Sequence, residues 1–290
     1  MLRFNLKKAD FFKNVNHEQL LVPWFIRTRQ KFKIIFTIRV LMVLWTITFY
    51  IRSIIVGENR AYWMTYFTHW TWTIQLIYQF LVSVLSFKLL KVWKKHEAST
   101  TTKWASLNLK VTKKVKFMFV LWETVFTTTI LVTAFFWTLL YKPTMKGSRF
   151  NMVTPHGINV IWTLIEFMFN RTDFPLARWI FFVPYGLVYG IHYLIIYYST
   201  GFLPYPVLNP SKRSDYGMFL MVFVLSFLIF CLGKLLAWIK NSHWQKKTNF
   251  DQIDNNALLE IENQDTSSNE KPSTNIILDE ETNSETDQTD

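Results

Sequence analysis

The chain has 290 residues; half are hydrophobic and 18% aromatic, with only 8 glycines and 9 prolines. This composition, with the apolar residues gathered in blocks, argues against a soluble globular protein and predicts a helical membrane protein. Residues 1–240 hold 29 basic and 8 acidic side chains, whereas residues 241–290 hold 3 basic and 12 acidic. The basic excess indicates membrane topology and lipid-headgroup contact rather than nucleic-acid binding. A single cysteine, Cys231, excludes an intrachain disulfide and a cysteine-based metal site.

The pattern along the chain predicts an all-α, polytopic membrane protein with three regions. Residues 1–33 form a basic segment without the apolar stretch of a signal peptide. Residues 34–240 carry six stretches that we predict to be transmembrane helices. These are residues 34–56, 66–87, 117–140, 154–169, 179–200 and 217–239. Residues 241–290 are polar and acidic, and we predict a disordered tail.

The distribution of lysine and arginine predicts that both termini are cytoplasmic. With six crossings, the inner segments hold 22 basic residues and the outer loops hold six. The weak point is the fourth stretch, whose apolar part is about 14 residues, short for a crossing. If that stretch is re-entrant, the acidic tail lies on the other side. Asn170 matches a glycosylation pattern, but its short cytoplasmic loop predicts that it is unmodified.

The fourth stretch, TPHGINVIWTLIEFMF, has a polar face that points to function. His156, Asn159, Thr163 and Glu166 fall at i, i+3, i+7 and i+10, so they share one side of a helix. Polar groups in hydrocarbon are costly and normally face the protein interior or a wet cavity. We therefore expect this helix to line a site.

Two other stretches carry similar faces. In the second, Thr68, Thr71, Gln75 and Gln79 share one side, and in the fifth Tyr185, Tyr189 and His192 do so. The second and fourth stretches both run inwards, which places Thr68 and His156 at a similar depth near the outer side. A threonine hydroxyl becomes a nucleophile when an imidazole removes its proton. We predict Thr68 and His156 as a catalytic pair, supported by Asn159, Gln75, Tyr189 and His192.

Two other interpretations stay open for these residues. A buried threonine and histidine at helix starts often only cap the helix and hydrogen-bond to neighbours. His69, His156 and His192 offer three nitrogens for zinc, but His69 points about 100° away from Thr68 around the helix. No HxxxH spacing or carboxylate at the same depth supports such a site. We predict no metal and no cofactor.

Three segments together resemble a known family: YWMTYFTHWTWTIQLIYQF, then TPHGINVIWTLIE, then YYSTGFLPYPVLNP. They resemble the androgen-induced, androgen-dependent membrane proteins and the rolling-stone-like proteins, over most of residues 34–240. The resemblance implies an intramembrane hydrolase of fatty acid esters of hydroxy fatty acids, which uses a threonine and a histidine. By position these residues correspond to Thr68 and His156.

The sequence Thr68-His69-Trp70 is closer to the rolling-stone type, whose members are linked to cell fusion and development. The expected function is thus a multi-pass lipid esterase, with a non-enzymatic role in adhesion, fusion or assembly as the alternative. The expected partners are membrane lipids and a lipid ester substrate, without nucleic acid. The expected location is the endoplasmic reticulum, another endomembrane or the plasma membrane.

Overall fold

The computed structural model describes residues 18–21, 29–56, 60–97, 113–141 and 153–269, with the backbone only for 244–269. In these ranges the chain is helical and contains no strand. The α-helices are α1 (Glu18–Leu21), α2 (Arg29–Val56), α3 (Phe67–Glu97), α4 (Lys113–Phe135), α5 (Asn159–Phe169), α6 (Phe182–Thr200) and α7 (Tyr216–Asn269). A π-helical turn extends α4 over Phe136–Leu140, and another precedes α5 over Thr154–Ile158.

Five helices in the described residues are long and apolar enough to cross a membrane. They are Gln30–Val56, Phe67–Val92, Lys113–Leu140, Leu176–Thr200 and Tyr216–His243. The first three contain no glycine or proline, the residues that most weaken or break a helix. Their outer surfaces are apolar: on α6, Leu187 and Ile195 are each 60% exposed, as expected for side chains that face lipid. The fourth predicted stretch forms α5 and its π turn, which is not among the five.

The helix α4 lies at the centre of the bundle. In its apolar stretch 72% of residues are buried, compared with 11% in the stretch that includes α6. The hydroxyls of Thr124, Thr127 and Thr128 each donate a hydrogen bond to the carbonyl four residues earlier, at 2.8–2.9 Å. A threonine that bonds within its own helix needs no partner from another helix, which allows several to be buried together.

Buried ion pairs join the helices. Arg39 on α2 donates to both carboxylate oxygens of Glu166 on α5, at 3.0 and 2.7 Å. Tyr78 on α3 donates to the same carboxylate, and Glu123 on α4 pairs with Arg178 at 3.1 Å. The Arg39–Glu166 pair therefore fixes how α5 is turned against α2 and α3.

The predicted polar faces of α3 and α5 are turned inwards. Thr71, Gln75 and Gln79 on α3, and Asn159, Thr163 and Glu166 on α5, are at most 3% exposed. On the opposite side of α5, Ile161 and Leu164 are exposed. This confirms the expectation from side-chain spacing.

The fifth predicted stretch begins differently from the expectation. A 3-10 helix over Leu176–Phe181 precedes α6, so Pro184 lies in the first turn of α6, where its missing N–H has no helical partner to lose. Gly201 ends α6 with a positive φ of 72° and donates to the Tyr197 carbonyl. The proline-rich segment that follows returns Tyr205 towards the start of α3, where its hydroxyl accepts from the Phe67 N–H at 2.9 Å.

By its contacts the chain divides into two units, Met1–Trp244 and Gln245–Asp290. Within the second unit the backbone is helical to Asn269, in a segment where the sequence analysis expects disorder. Phe250, Ile253, Ala257 and Ile261 recur there at helical spacing, an apolar pattern that accounts for the helix. Residues 270–290 of the predicted tail, and most of residues 1–33, lie outside the described residues.

Candidate functional site

A cavity of about 210 Å³ lies between the start of α3, the ends of α4 and its π turn, the turn before α5, one face of α6 and the start of α7. The Tyr205 segment closes one side. Its lining is largely aliphatic and phenyl side chains, and the polar exceptions are Thr68, His156, Tyr189, Tyr193 and Tyr205. An apolar cavity with a few convergent polar groups is typical of a small-molecule site.

Thr68, the second residue of α3, is almost completely buried at 9% exposure. The backbone N–H of Phe67, the residue before Thr68, donates to the Tyr205 hydroxyl. The Thr68 hydroxyl also lies close enough to the Tyr205 hydroxyl to interact with it. Burial raises the pKa of Tyr205 to about 12, so the phenol is neutral and keeps a proton to donate. Tyr205 therefore brings a hydrogen-bond donor beside the Thr68 hydroxyl.

His156 reaches the cavity from the π turn that precedes α5. Its ring stacks on Phe136 with 3.6 Å between ring centroids and 6° between ring planes. The His156 carbonyl accepts from the Trp137 indole at 3.2 Å, so α4 holds both the backbone and the ring. The Nδ1 atom is buried and has no hydrogen-bond partner among the described residues. A clamped imidazole with an unused nitrogen is equipped to exchange a proton with a bound molecule.

The structure brings Thr68 and His156 to the same cavity, as the sequence analysis expects of helices that start at one level. No hydrogen bond joins the two side chains in the described part of the chain. Proton transfer requires a separation of about 3 Å, and catalytic hydrogen bonds often tighten to that distance only when substrate binds.

Of the four predicted supporting residues, Tyr189 alone lines the cavity, and its hydroxyl donates to the Thr65 carbonyl at 3.0 Å. Asn159 donates to the Pro155 carbonyl at 3.2 Å, within its own helix start, rather than to His156. Gln75 lies about two turns further along α3 than Thr68. Its Oε1 atom is buried and has no hydrogen-bond partner among the described residues. His192 packs on Trp70, with 5.4 Å between ring centroids.

The structure also gives the surroundings of His69, which the sequence analysis considers as a zinc ligand. Across the described ranges no group of three or more histidine, cysteine, aspartate or glutamate side chains is placed to hold a metal ion. His69 stacks on Trp63, and its Nδ1 contacts the Trp63 carbonyl at 2.5 Å. His69 is not among the residues that line the cavity.

Sequence reasoning missed two parts of the cavity wall. Tyr205 comes from a loop, where spacing predicts no face, and only the proline-rich composition marks the segment. Gly186 and Gly190 lie one turn apart on α6 and line the cavity. A Cβ at Gly190 would meet no atom within 4 Å, so the missing side chain leaves open space. The i, i+4 spacing of the two glycines was the available signal.

Comparisons of this chain with models of protein families, with curated proteins and with solved structures found no significant match.

Proposed function

We propose that the protein is a membrane hydrolase of lipid esters, with Thr68 as nucleophile and His156 as general base. The observation that carries the proposal is that both side chains line one largely apolar cavity between membrane-type helices. The resemblance to the androgen-induced membrane proteins selects the same two residues. A hydroxyl, an imidazole and a phenol in an apolar chamber together support acyl transfer.

In the first half of the reaction, the Thr68 Oγ attacks the ester carbonyl carbon while His156 takes the hydroxyl proton. The carbonyl oxygen becomes an oxyanion, which the neutral Tyr205 phenol stabilises by donating a hydrogen bond. His156 then returns the proton to the leaving alcohol as the C–O bond breaks, which leaves an acyl group on Thr68. Water repeats the cycle at the acyl carbon, so one ester and one water give one acid and one alcohol.

The shape of the cavity favours an acyl chain. On α6 the lining residues Phe182, Gly186, Gly190 and Tyr193 share one face over about three turns, or about 16 Å. Leu187 and Phe223 line the cavity and are also 60% and 40% exposed on the apolar outer surface. The cavity therefore opens between α6 and α7, and a lipid tail reaches it sideways from the bilayer. An apolar slot of this length is suited to one acyl chain.

We also propose that the π turn and α5 together form a fourth crossing, which gives six crossings with both termini cytoplasmic. Residues 154–169 measure about 24 Å as a helix, shorter than a hydrocarbon core of about 30 Å. Their polar residues are buried against α2, α3 and α4, so lipid contacts only the apolar side. The excess of basic residues on one side supports this topology, in an endomembrane or the plasma membrane.

The test is hydrolysis of fatty acid esters of hydroxy fatty acids by the full-length protein in lipid nanodiscs. Thr68→Ala and His156→Ala should each lower the rate about 10²–10⁴-fold, whereas Thr68→Ser should retain much of it. Thr48→Ala serves as the control, because Thr48 is exposed on α2 and bonds to the Leu44 carbonyl. Equal rates for Thr68→Ala and the unmodified protein would refute the mechanism. No turnover by well-folded protein on any ester would favour the non-enzymatic alternative.

A further inference from the structure

A second apolar recess lies between α2 and α3, on residues that do not line the cavity. This groove has a volume of about 290 Å³. Its lining residues are Phe36, Val40, Val43, Leu44, Phe80, Ser83, Val84 and Phe87. Val43 and Ser83 are buried and form the floor, while Leu44, Phe80 and Phe87 are exposed and form the walls. At one end Phe36 and Phe87 stack, with 5.9 Å between their centroids.

Two lysines stand beyond that end of the groove. Lys33 precedes Phe36 by three residues and Lys91 follows Phe87 by four, so each continues the face of its helix that lines the groove. Since α2 and α3 run in opposite directions, both lysines lie at the same end. The Lys91 Nζ lies 4.5 Å from the centre of the Phe87 ring, above the groove end. Both lysines are exposed, and neither pairs with a carboxylate in the described ranges.

We propose that this groove binds an anionic phospholipid, with an acyl chain against the phenyl walls and the phosphate between Lys33 and Lys91. Apolar walls alone accept the chain of any lipid. Two cations that have no carboxylate partner in the described part of the chain stand at the mouth of this groove between membrane helices, and they add selectivity for a negative headgroup. The proposed topology places this end in the cytoplasmic leaflet, which is the anionic one. The site does not depend on Thr68 or His156, because it uses other residues.

The test is native mass spectrometry of the full-length protein in detergent, titrated with dioleoyl phosphatidylserine or dioleoyl phosphatidylcholine. Phosphatidylserine should bind first and more tightly. The double variant Lys33→Ala/Lys91→Ala should weaken the affinity for phosphatidylserine about 25-fold, because each lysine contributes about fivefold. The matched control is Lys113→Ala/Lys114→Ala, which removes two exposed charges at the start of α4. That control should leave binding within about twofold.

A second pair of variants tests the groove itself. Val84→Trp fills the groove and should abolish tight binding, whereas Val224→Trp on the exposed face of α7 should not. Equal affinity for the two lipids would overturn the proposal. An equal loss of phosphatidylserine affinity in Lys33→Ala/Lys91→Ala and in Lys113→Ala/Lys114→Ala would also overturn it, because it would indicate a diffuse effect of surface charge. A dimer that Val84→Trp dissociates would also overturn it, because a second copy of the chain would then occupy the groove.

Discussion

Replacement of Glu166 by alanine tests whether the Arg39–Glu166 pair organises the bundle. The Arg39 guanidinium makes five hydrogen bonds: two to Glu166, one to Ser86 and two to the carbonyls of Leu20 and Leu21. In Glu166→Ala the two bonds to the carboxylate are lost, and a cation that is 1% exposed keeps no counter-charge.

Removal of one member of a buried ion pair costs about 3–5 kcal/mol, because the remaining charge stays desolvated. For a membrane domain of this size that corresponds to a fall in Tm of about 6–20 °C. Replacement of both members by apolar residues, in Arg39→Met/Glu166→Leu, leaves no buried charge. We expect the double variant to recover at least about half of the loss.

The assay is thermal unfolding of the full-length protein in detergent, followed by loss of the monodisperse peak in size-exclusion chromatography. Lys234→Ala is the control, since Lys234 is an exposed charge on α7. If Glu166→Ala melted within about 1 °C of Lys234→Ala, the pair would contribute nothing to stability. A double variant less stable than Glu166→Ala would contradict the explanation based on an uncompensated charge.

Three further predictions concern the cavity and the Asn170 loop. In Gly190→Leu the new side chain projects into the cavity and should lower hydrolysis of long-chain esters about tenfold or more relative to short-chain esters. Gly217→Leu is the control, because Gly217 does not line the cavity, and it should not change this ratio. The measurement is the hydrolysis rate over a series of ester chain lengths. Tyr205→Phe removes the proposed oxyanion donor and should lower the hydrolysis rate about 10²-fold. In the unmodified protein the hydrolysis rate should hold up to about pH 10, because burial raises the pKa of Tyr205 and keeps its phenol protonated. Asn170 should show no glycosidase-sensitive mass shift, because its buried amide donates to the Glu166 carbonyl at 2.9 Å and its Oδ1 accepts from Thr172.

The sequence was sufficient to predict the helical class and the faces that turn inwards. Spacing along one helix determines which side chains share a side, and the cost of polar groups in hydrocarbon determines which side is buried. For that reason Asn159, Thr163 and Glu166 were placed correctly without any tertiary information. The same two rules placed Thr68 and His156 at one depth, and the structure shows them on one cavity.

Pairing between helices required the structure. Arg39 and Glu166 are 127 residues apart, and no local pattern distinguishes Glu166 from Glu123 as the partner of Arg39. Tyr205 was missed for a related reason, since its position depends on how a proline-rich loop returns over α3. The shared face predicts Asn159 as a supporting residue, but its amide donates to the Pro155 carbonyl at 3.2 Å, within its own helix start.

Intact mass spectrometry after fluorophosphonate treatment tests most directly whether the Thr68 hydroxyl and the His156 imidazole act together in the cavity. One adduct is expected on the full-length protein, mapped to Thr68, absent from Thr68→Ala and formed much more slowly by His156→Ala. An adduct on another residue, or no adduct on folded protein that still hydrolyses esters, would contradict this mechanism.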